Sequence, residues 1–314
     1  MKKFLLHSLC FSLPILFVYT IITLFILPKL IEKTRGPATE TQIRNSFLNA
    51  KNSNYDLLVL GNSRTYRGIN PDVFTIPSYN FSHDADSFNQ IYHKLIWLKN
   101  NGKKFKYLLL GVDYFQFNSL SDTRNYIYSV FLGSEYLKDF PNSNLVNLFF
   151  SRTNILDFSR MKYLQNAFRK EQNSTFQRKN GQYITPVKAT KNDKHDFISI
   201  KRLPIQEQYF DMIFDYCTKQ DIEIFLCILP ARENFLKRYQ ESEIQEFNKF
   251  IFAHINNKIH FLDYSHQSGW NLEDYQDLIH LNEMGANKFS KQLNDTLIKF
   301  VNHKTLLSIG QKQK

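Results

Sequence analysis

Four short apolar runs, at residues 56–60, 107–112, 223–229 and 259–262, with a fifth candidate strand at 78–81, set what this chain can fold into. Apolar side chains in unbroken succession point to both faces of a strand, so such a run is buried on both sides. Between the runs, residues 87–100, 205–219, 241–256 and 287–301 carry apolar positions at helical spacing, as in Tyr209, Met212, Ile213 and Tyr216. Strands of this kind alternating with helices predict an α/β protein: a three-layer α/β/α sandwich around a parallel five-stranded sheet.

Two segments lie outside the alternation. Residues 4–27 read FLLHSLCFSLPILFVYTIITLFIL, 24 positions without Asp, Glu, Lys or Arg. At 1.5 Å per helical residue this run crosses a bilayer, and Pro14 is tolerated there. It is longer than the apolar core of a cleaved signal peptide and no Ala-x-Ala-like site follows. Residues 1–35 are therefore expected to be one uncleaved transmembrane helix, a single-pass signal anchor. Lys2 and Lys3 before the run nearly balance Lys29, Lys33 and Arg35 after it, so charge bias does not set its orientation. A polar linker with one short helix is expected over 32–54. Residues 115–202 form the second exception. A structureless loop of that length is rare, and helical patterns recur near 144–150 and 154–167, so a helical insertion or lid is expected. A short basic tail is expected over 304–314.

Net charge is +11, and residues 151–202 contribute +8 of it, from twelve Lys/Arg and four Asp/Glu. Such a segment suits an anionic glycan or lipid headgroups, or is a solvated face. No nucleic-acid-binding motif accompanies it, so nucleic acid is not an expected partner. Cys10, Cys217 and Cys227 give no disulfide framework; the last two fall in helix and strand patterns as core residues.

The chemistry concentrates in two places. Leu60-Gly61-Asn62-Ser63-Arg64 puts a serine just after the first strand. Asp277-Leu-Ile-His280-Leu-Asn282-Glu-Met-Gly285 puts an aspartate and a histidine three residues apart near the other end of the chain. A serine hydroxyl is a poor nucleophile until an imidazole takes its proton and a carboxylate holds the imidazole. Ser63, His280 and Asp277 are the candidates for those roles. In a parallel sheet ligands gather at the carboxyl ends of strands, where Ser63 is expected. Arg64, Arg67 and Arg232 lie beside strand ends and are candidates for gripping a substrate carboxylate or phosphate. His260 and His266 lie near the Asp-x-x-His, but no metal-ligand spacing is present and no metal is expected. The chemistry calls for no cofactor.

These two blocks resemble those of the SGNH/GDSL hydrolase superfamily, in a membrane-anchored bacterial cell-envelope branch. The resemblance covers roughly residues 54–300, with Gly61-Asn62-Ser63 where the family has Gly-Asp-Ser. It implies a flavodoxin-like sandwich over 36–303, interrupted by the 115–202 insertion. It also implies a domain outside the cytoplasmic membrane, acting as a serine acyl-esterase or O-acyltransferase on a cell-envelope polysaccharide. The implied partners are the membrane, the glycan or an acyl donor and, for transfer, a membrane-bound O-acyltransferase. The family supplies oxyanion donors from three blocks. Here Ser63 matches the first, Ser82 stands roughly where the second has a glycine and offers its backbone N–H, and Asp113 stands where the third has an asparagine. An ionised carboxylate donates no hydrogen bond, so the resemblance also admits a degenerate domain that binds or scaffolds polysaccharide.

Overall fold

A computed structural model describes residues 1–35, 39–168, 177–184, 189 and 198–312. In chain order, α1 (Lys2–Ile21) continues through a π-helical turn (Ile22–Ile26) into α2 (Leu27–Arg35), and α3 is Thr39–Asn52. β1 (Leu57–Leu60) leads into α4 (Ser63–Gly68), and β2 (Ser78–Asn80) into α5 (Phe88–Asn100). β3 (Tyr107–Gly111) precedes a 3-10 turn (Tyr114–Phe117), α6 (Asn125–Leu137), α7 (Leu145–Thr153) and a 3-10 helix (Phe158–Phe168). The chain closes with α8 (Pro204–Lys219), β4 (Glu223–Ile228), α9 (Glu233–Leu236), α10 (Glu241–Phe252), β5 (Ile259–Asp263) and α11 (Glu283–Lys312).

Two compact units emerge: Met1–Asn45 with Asp122–Phe176, and Ser46–Ser121 with Gln177–Lys314. In the first, Leu27 is buried, and Asn166 Nδ2 donates to Leu30 O at 3.3 Å. Its helix Lys2–Glu32 is long and apolar enough to cross a membrane. The expected linker over 32–54 contains α3, which is longer than the short helix anticipated. α11 runs on to Lys312, through most of the expected tail.

The second unit is an α/β fold with five parallel strands in the order β2-β1-β3-β4-β5. Burial follows position in the sheet. Every residue of β1 and β4 is buried, whereas edge strand β5 is mostly half-buried. The odd-numbered Leu57, Val59, Leu109, Phe225 and Cys227 share one face with Phe289, Leu293 and Leu297 of α11. The intervening residues point to the opposite face by strand alternation. Fully burying each such side chain stabilises the fold by ~1.5–3 kcal/mol.

After β2 the chain crosses back over β1 to form β3, so the connections from β1 and β3 leave in opposite directions. This switch point opens a crevice at their carboxyl ends. The crevice floor is tight. A Cβ on Gly111 would stand 1.8 Å from Thr65 Oγ1, and one on Gly61 would stand 2.3 Å from it. Gly61 also has φ +157°. Glycine at both positions lets Thr65 of α4 wedge between the two strand ends. We therefore expect Gly111→Ala to lower stability by about 1–3 kcal/mol, the usual cost of overpacking. Adding Thr65→Ala should return most of that loss. Chemical unfolding of the detergent-solubilised chain, followed by circular dichroism, measures both; equal destabilisation in single and double variants would remove the wedge.

Candidate active site

The serine and histidine are brought together by two capped turns. Asn62 is the N-cap of α4 and its Oδ1 accepts from Arg64 N at 2.9 Å. This makes Ser63 the first helical residue, with a backbone N–H that has no acceptor within the helix. The other turn hangs on Asn282, the cap of α11. Its Oδ1 accepts from Gly285 N at 3.1 Å, and its Nδ2 donates to Glu273 O at 2.6 Å and Tyr275 O at 3.1 Å. Tyr275 and Leu281 form an antiparallel bridge, and Gln276 N donates to His280 O at 2.8 Å. Asp277 and His280 sit in the small loop so closed.

Within this loop the Asp277 carboxylate is fully used. Oδ1 accepts from the backbone N–H of Ile279 and of His280, both at 2.9 Å, and Oδ2 lies 2.8 Å from His280 Nδ1. The carboxylate fixes the proton on Nδ1. Nε2 is left to accept from Ser63 Oγ at 2.7 Å. Ser63 and the Asp277–His280 pair, more than 200 positions apart in sequence, thus form one continuous hydrogen-bonded chain. Burial pushes the Asp277 carboxyl upward. The bond to His280, the charge of His280 and the two backbone N–H groups outweigh it, and the net pKa is about 2.

Arg64 does not serve as the exposed substrate grip expected of it. It is buried, its Nη1 pairs with Asp113 Oδ1, and its Nη2 donates to Leu229 O and to Pro230 O at 3.0 Å. Its Nε donates to Ile279 O at 3.1 Å. Asp113, the residue at the altered oxyanion block, is buried too, and accepts from Asn62 Nδ2 at 2.7 Å. Arg67 is half-buried against Asp84 at 3.0 Å and Gln276 Oε1 at 3.2 Å, with its guanidinium 5.5 Å from the Tyr183 ring. Arg232 caps α9 and borders a polar cleft of about 540 Å³ with Asn234, His266, Gln267 and Trp270. Of the three arginines, Arg232 is the one that borders this cleft.

Ser82, the expected second oxyanion donor, is fully buried and its N–H donates to Asn80 Oδ1 at 3.1 Å. Asn80 is held in turn by Nδ2 bonds of 3.0 Å each to Thr65 O and Ile69 O. Beside them lies a buried cation that sequence reading missed. Lys94 Nζ contacts Phe81 O and His83 Nδ1 at 2.8 Å and Asp86 Oδ2 at 2.6 Å, fixing the loop that carries Ser82. A lysine at helical spacing among Ile91, Leu95 and Leu98 was the available signal, since the apolar face of α5 includes it. Residues 177–183 of the expected insertion return to this side of the sheet. Asn80 N donates to Asn180 O at 2.9 Å and Tyr183 N to Tyr66 O at 3.0 Å.

The charges of the basic segment divide. Arg178 pairs with Glu283 and Arg202 with Glu207, so both are neutralised locally. Arg169, Lys170, Lys188, Lys191 and Lys194 lie outside the described residues. No cluster able to hold a metal occurs among the described residues.

The fold and site together define a doubly wound α/β protein with a serine–histidine–aspartate chain at its sheet's carboxyl edge. No family model matches the sequence, and no curated protein matches it. Among solved structures, a protein from Streptococcus pneumonia, provisionally described as a platelet activating factor, is similar over 82% of this chain and 90% of its own. The two share 14% identity, with a TM-score of 0.40. The α/β assignment rests on the sheet itself.

Two outcomes follow from this geometry. Arg64→Met leaves Asp113 charged and buried without its partner, and Asp113→Leu does the same to Arg64. Each should destabilise by about 3–5 kcal/mol, whereas the double replacement by apolar residues should cost much less. Urea unfolding of the four chains gives the coupling, and additive losses would show the pair to be incidental. The second outcome concerns acid. Because the folded Asp277 pKa lies below its ordinary 3.8, the ionised form is favoured in the native state. Its contribution to stability should be complete above about pH 4 and lost as pH falls toward 2. The stability difference between wild type and Asp277→Asn should shrink as pH falls from about 4 toward 2; a difference that stays constant over that range would contradict this.

Proposed function

We propose that this chain is a serine acyl-esterase or O-acyltransferase that works through an acyl-Ser63 intermediate. The observation carrying this reading is the unbroken series Ser63 Oγ, His280 Nε2, His280 Nδ1, Asp277 Oδ2, with contacts of 2.7 and 2.8 Å. Ser63 Oγ attacks the ester carbonyl carbon and its proton passes to His280 Nε2. Asp277 stabilises the imidazolium. The oxyanion takes a hydrogen bond from Ser63 N–H at the start of α4. Collapse breaks the ester C–O bond, and the leaving alkoxide takes the proton from Nε2. Water or a second hydroxyl then enters by the reverse path and frees Ser63. The two outcomes differ only in that acceptor.

An apolar cleft of about 440 Å³ lies against the Asp277–His280 turn, with Phe115, Ile198, Phe235 and Leu278 in its lining. It is the natural seat for an acyl group. The polar cleft bordered by Arg232 and Trp270 suits a sugar and supports an envelope polysaccharide as acyl acceptor or donor. The long apolar helix supports anchoring in a membrane; a domain outside the cytoplasm, where such a glycan and a membrane-bound O-acyltransferase partner would reside, rests on the resemblance of the two sequence blocks.

The bond from Ser82 N–H to Asn80 favours a second reading, a polysaccharide-binding or scaffolding domain with an unreactive serine. Loss of one oxyanion donor costs ~10²–10³ in rate. One experiment separates the two. The detergent-solubilised chain should be labelled by a serine-directed fluorophosphonate. Ser63→Ala should abolish labelling, and His280→Ala should slow it by about 10²–10⁴-fold, the range of general-base catalysis. Equal labelling of wild type and Ser63→Ala would remove the nucleophile; no labelling of either would favour the scaffold.

A further inference from the structure

We propose that α7 and the 3-10 helix after it form a second membrane-embedded element, set in the bilayer interface beside α1. The groove between them holds the acyl chain of a bilayer phospholipid. This rests on reading α1 as a bilayer span.

Burial along α1 marks where lipid gives way to protein. Phe4, Leu6, Leu9, Phe11 and Phe17 are all exposed, and exposure continues through Val18. From Tyr19 on one face of the helix is covered, with Thr23 and Leu27 each only 1% exposed, while Phe25 on the other face is still 65% exposed. The exposed stretch is about 26 Å long at 1.5 Å per residue, close to the ~30 Å of a hydrocarbon core. The edge of the bilayer therefore falls near Tyr19, an aromatic with a polar tip of the kind enriched at that level.

At the same level the first unit presents a second apolar surface. Tyr19 OH donates to Ile155 O, and its ring stacks on Phe158 at 5.2 Å. None of the nine residues of α7 is buried. Leu145 is 86% exposed, Val146 61%, Leu156 67% and Phe158 66%. A contiguous apolar surface of this kind is rare against water and marks an interaction site. Asn147, Ser151 and Arg152 interrupt the apolar positions of α7, so it lacks the all-round hydrophobicity of a spanning helix. An amphipathic helix lying in the interface satisfies both observations. Arg160 and Lys162 follow in the 3-10 helix, where they can meet phosphate headgroups.

The groove measures about 600 Å³ and is walled by Phe11, Ile15 and Tyr19 on one side and by Phe150, Ile155 and Phe158 on the other. Its lining offers almost nothing to a sugar or a headgroup. One wall is the lipid-facing surface of the span itself, and the medium in contact with that surface is hydrocarbon. This continuity commits the groove to an acyl chain.

Tryptophan quenching in vesicles tests this on the full chain. The wild type, with Trp97 and Trp270, supplies the baseline. Leu145→Trp, Phe150→Trp and Phe11→Trp would each be reconstituted into equal mixtures of phosphatidylcholine and phosphatidylglycerol, with or without bromine on the phosphatidylcholine acyl chains. All three added indoles should lose most of their emission to the brominated chains. Quenching of Phe11→Trp without Leu145→Trp would overturn the embedded element and leave the span intact. Quenching of Phe11→Trp and Leu145→Trp without Phe150→Trp would overturn the acyl-chain occupant of the groove. Quenching of none would overturn the span reading and this inference with it.

Discussion

The site depends on one buried guanidinium. Arg64 follows the candidate nucleophile, and its donors reach the segments after β3 and β4 and the loop that carries His280. The carboxyl ends of parallel strands expose carbonyl oxygens that need partners. Arg64 satisfies two of them beyond β4 and uses a third contact, at Ile279 O, to dock the Asp277–His280 turn. Desolvating a cation costs several kcal/mol unless it is paired and bonded, and Asp113 supplies the pairing. Ser63 and His280 meet because Arg64, next to Ser63, is tied to the loop that carries His280.

This explains an apparent defect in the sequence. Asp113 stands where the resembling family has an asparagine that donates to the oxyanion. An asparagine there would leave Arg64 without a counter-charge in a buried place. The carboxylate also receives Asn62 Nδ2, which fixes the N-cap that starts α4 at Ser63. In this fold the position has a structural role, as counter-charge to Arg64 and acceptor for Asn62.

The sheet was legible because its central strands are buried on both faces and therefore read as unbroken apolar runs. Edge strand β5 was found as well, although half-buried, because Ile259, Phe261 and Leu262 keep it apolar. The Asp-x-x-His turn was legible because its bonds are local. What escaped was non-local. A sequence gives no sign that Arg64 points inward, because only the fold brings Asp113 and Leu229 within reach. Nor does the 115–202 segment reveal that it divides, with Asp122–Phe176 joining the unit of the long apolar N-terminal helix and Gln177 onward returning to β2. The compensating partners of a buried charge, and the path of a long insertion, are set by tertiary contacts that no local pattern encodes.

On the proposed acyl-Ser63 reading, the resting bond from Ser82 N–H to Asn80 Oδ1 weakens the oxyanion site without abolishing it. For Ser82 to serve as a second donor, its N–H must exchange a neutral amide acceptor for a developing oxyanion. A neutral hydrogen bond contributes about 0.5–1.5 kcal/mol net, and one to a charged group about 1.5–3. The exchange is therefore favourable only once charge has developed, and its gain is about half that of a free donor. Asn80 cannot easily follow the moving N–H, because its Nδ2 is pinned by Thr65 O and Ile69 O. A site of this kind stabilises the transition state more than the bound ester, which is the requirement for raising turnover rather than affinity. It does so at a lower rate than a site with free donors, in acylation and deacylation alike.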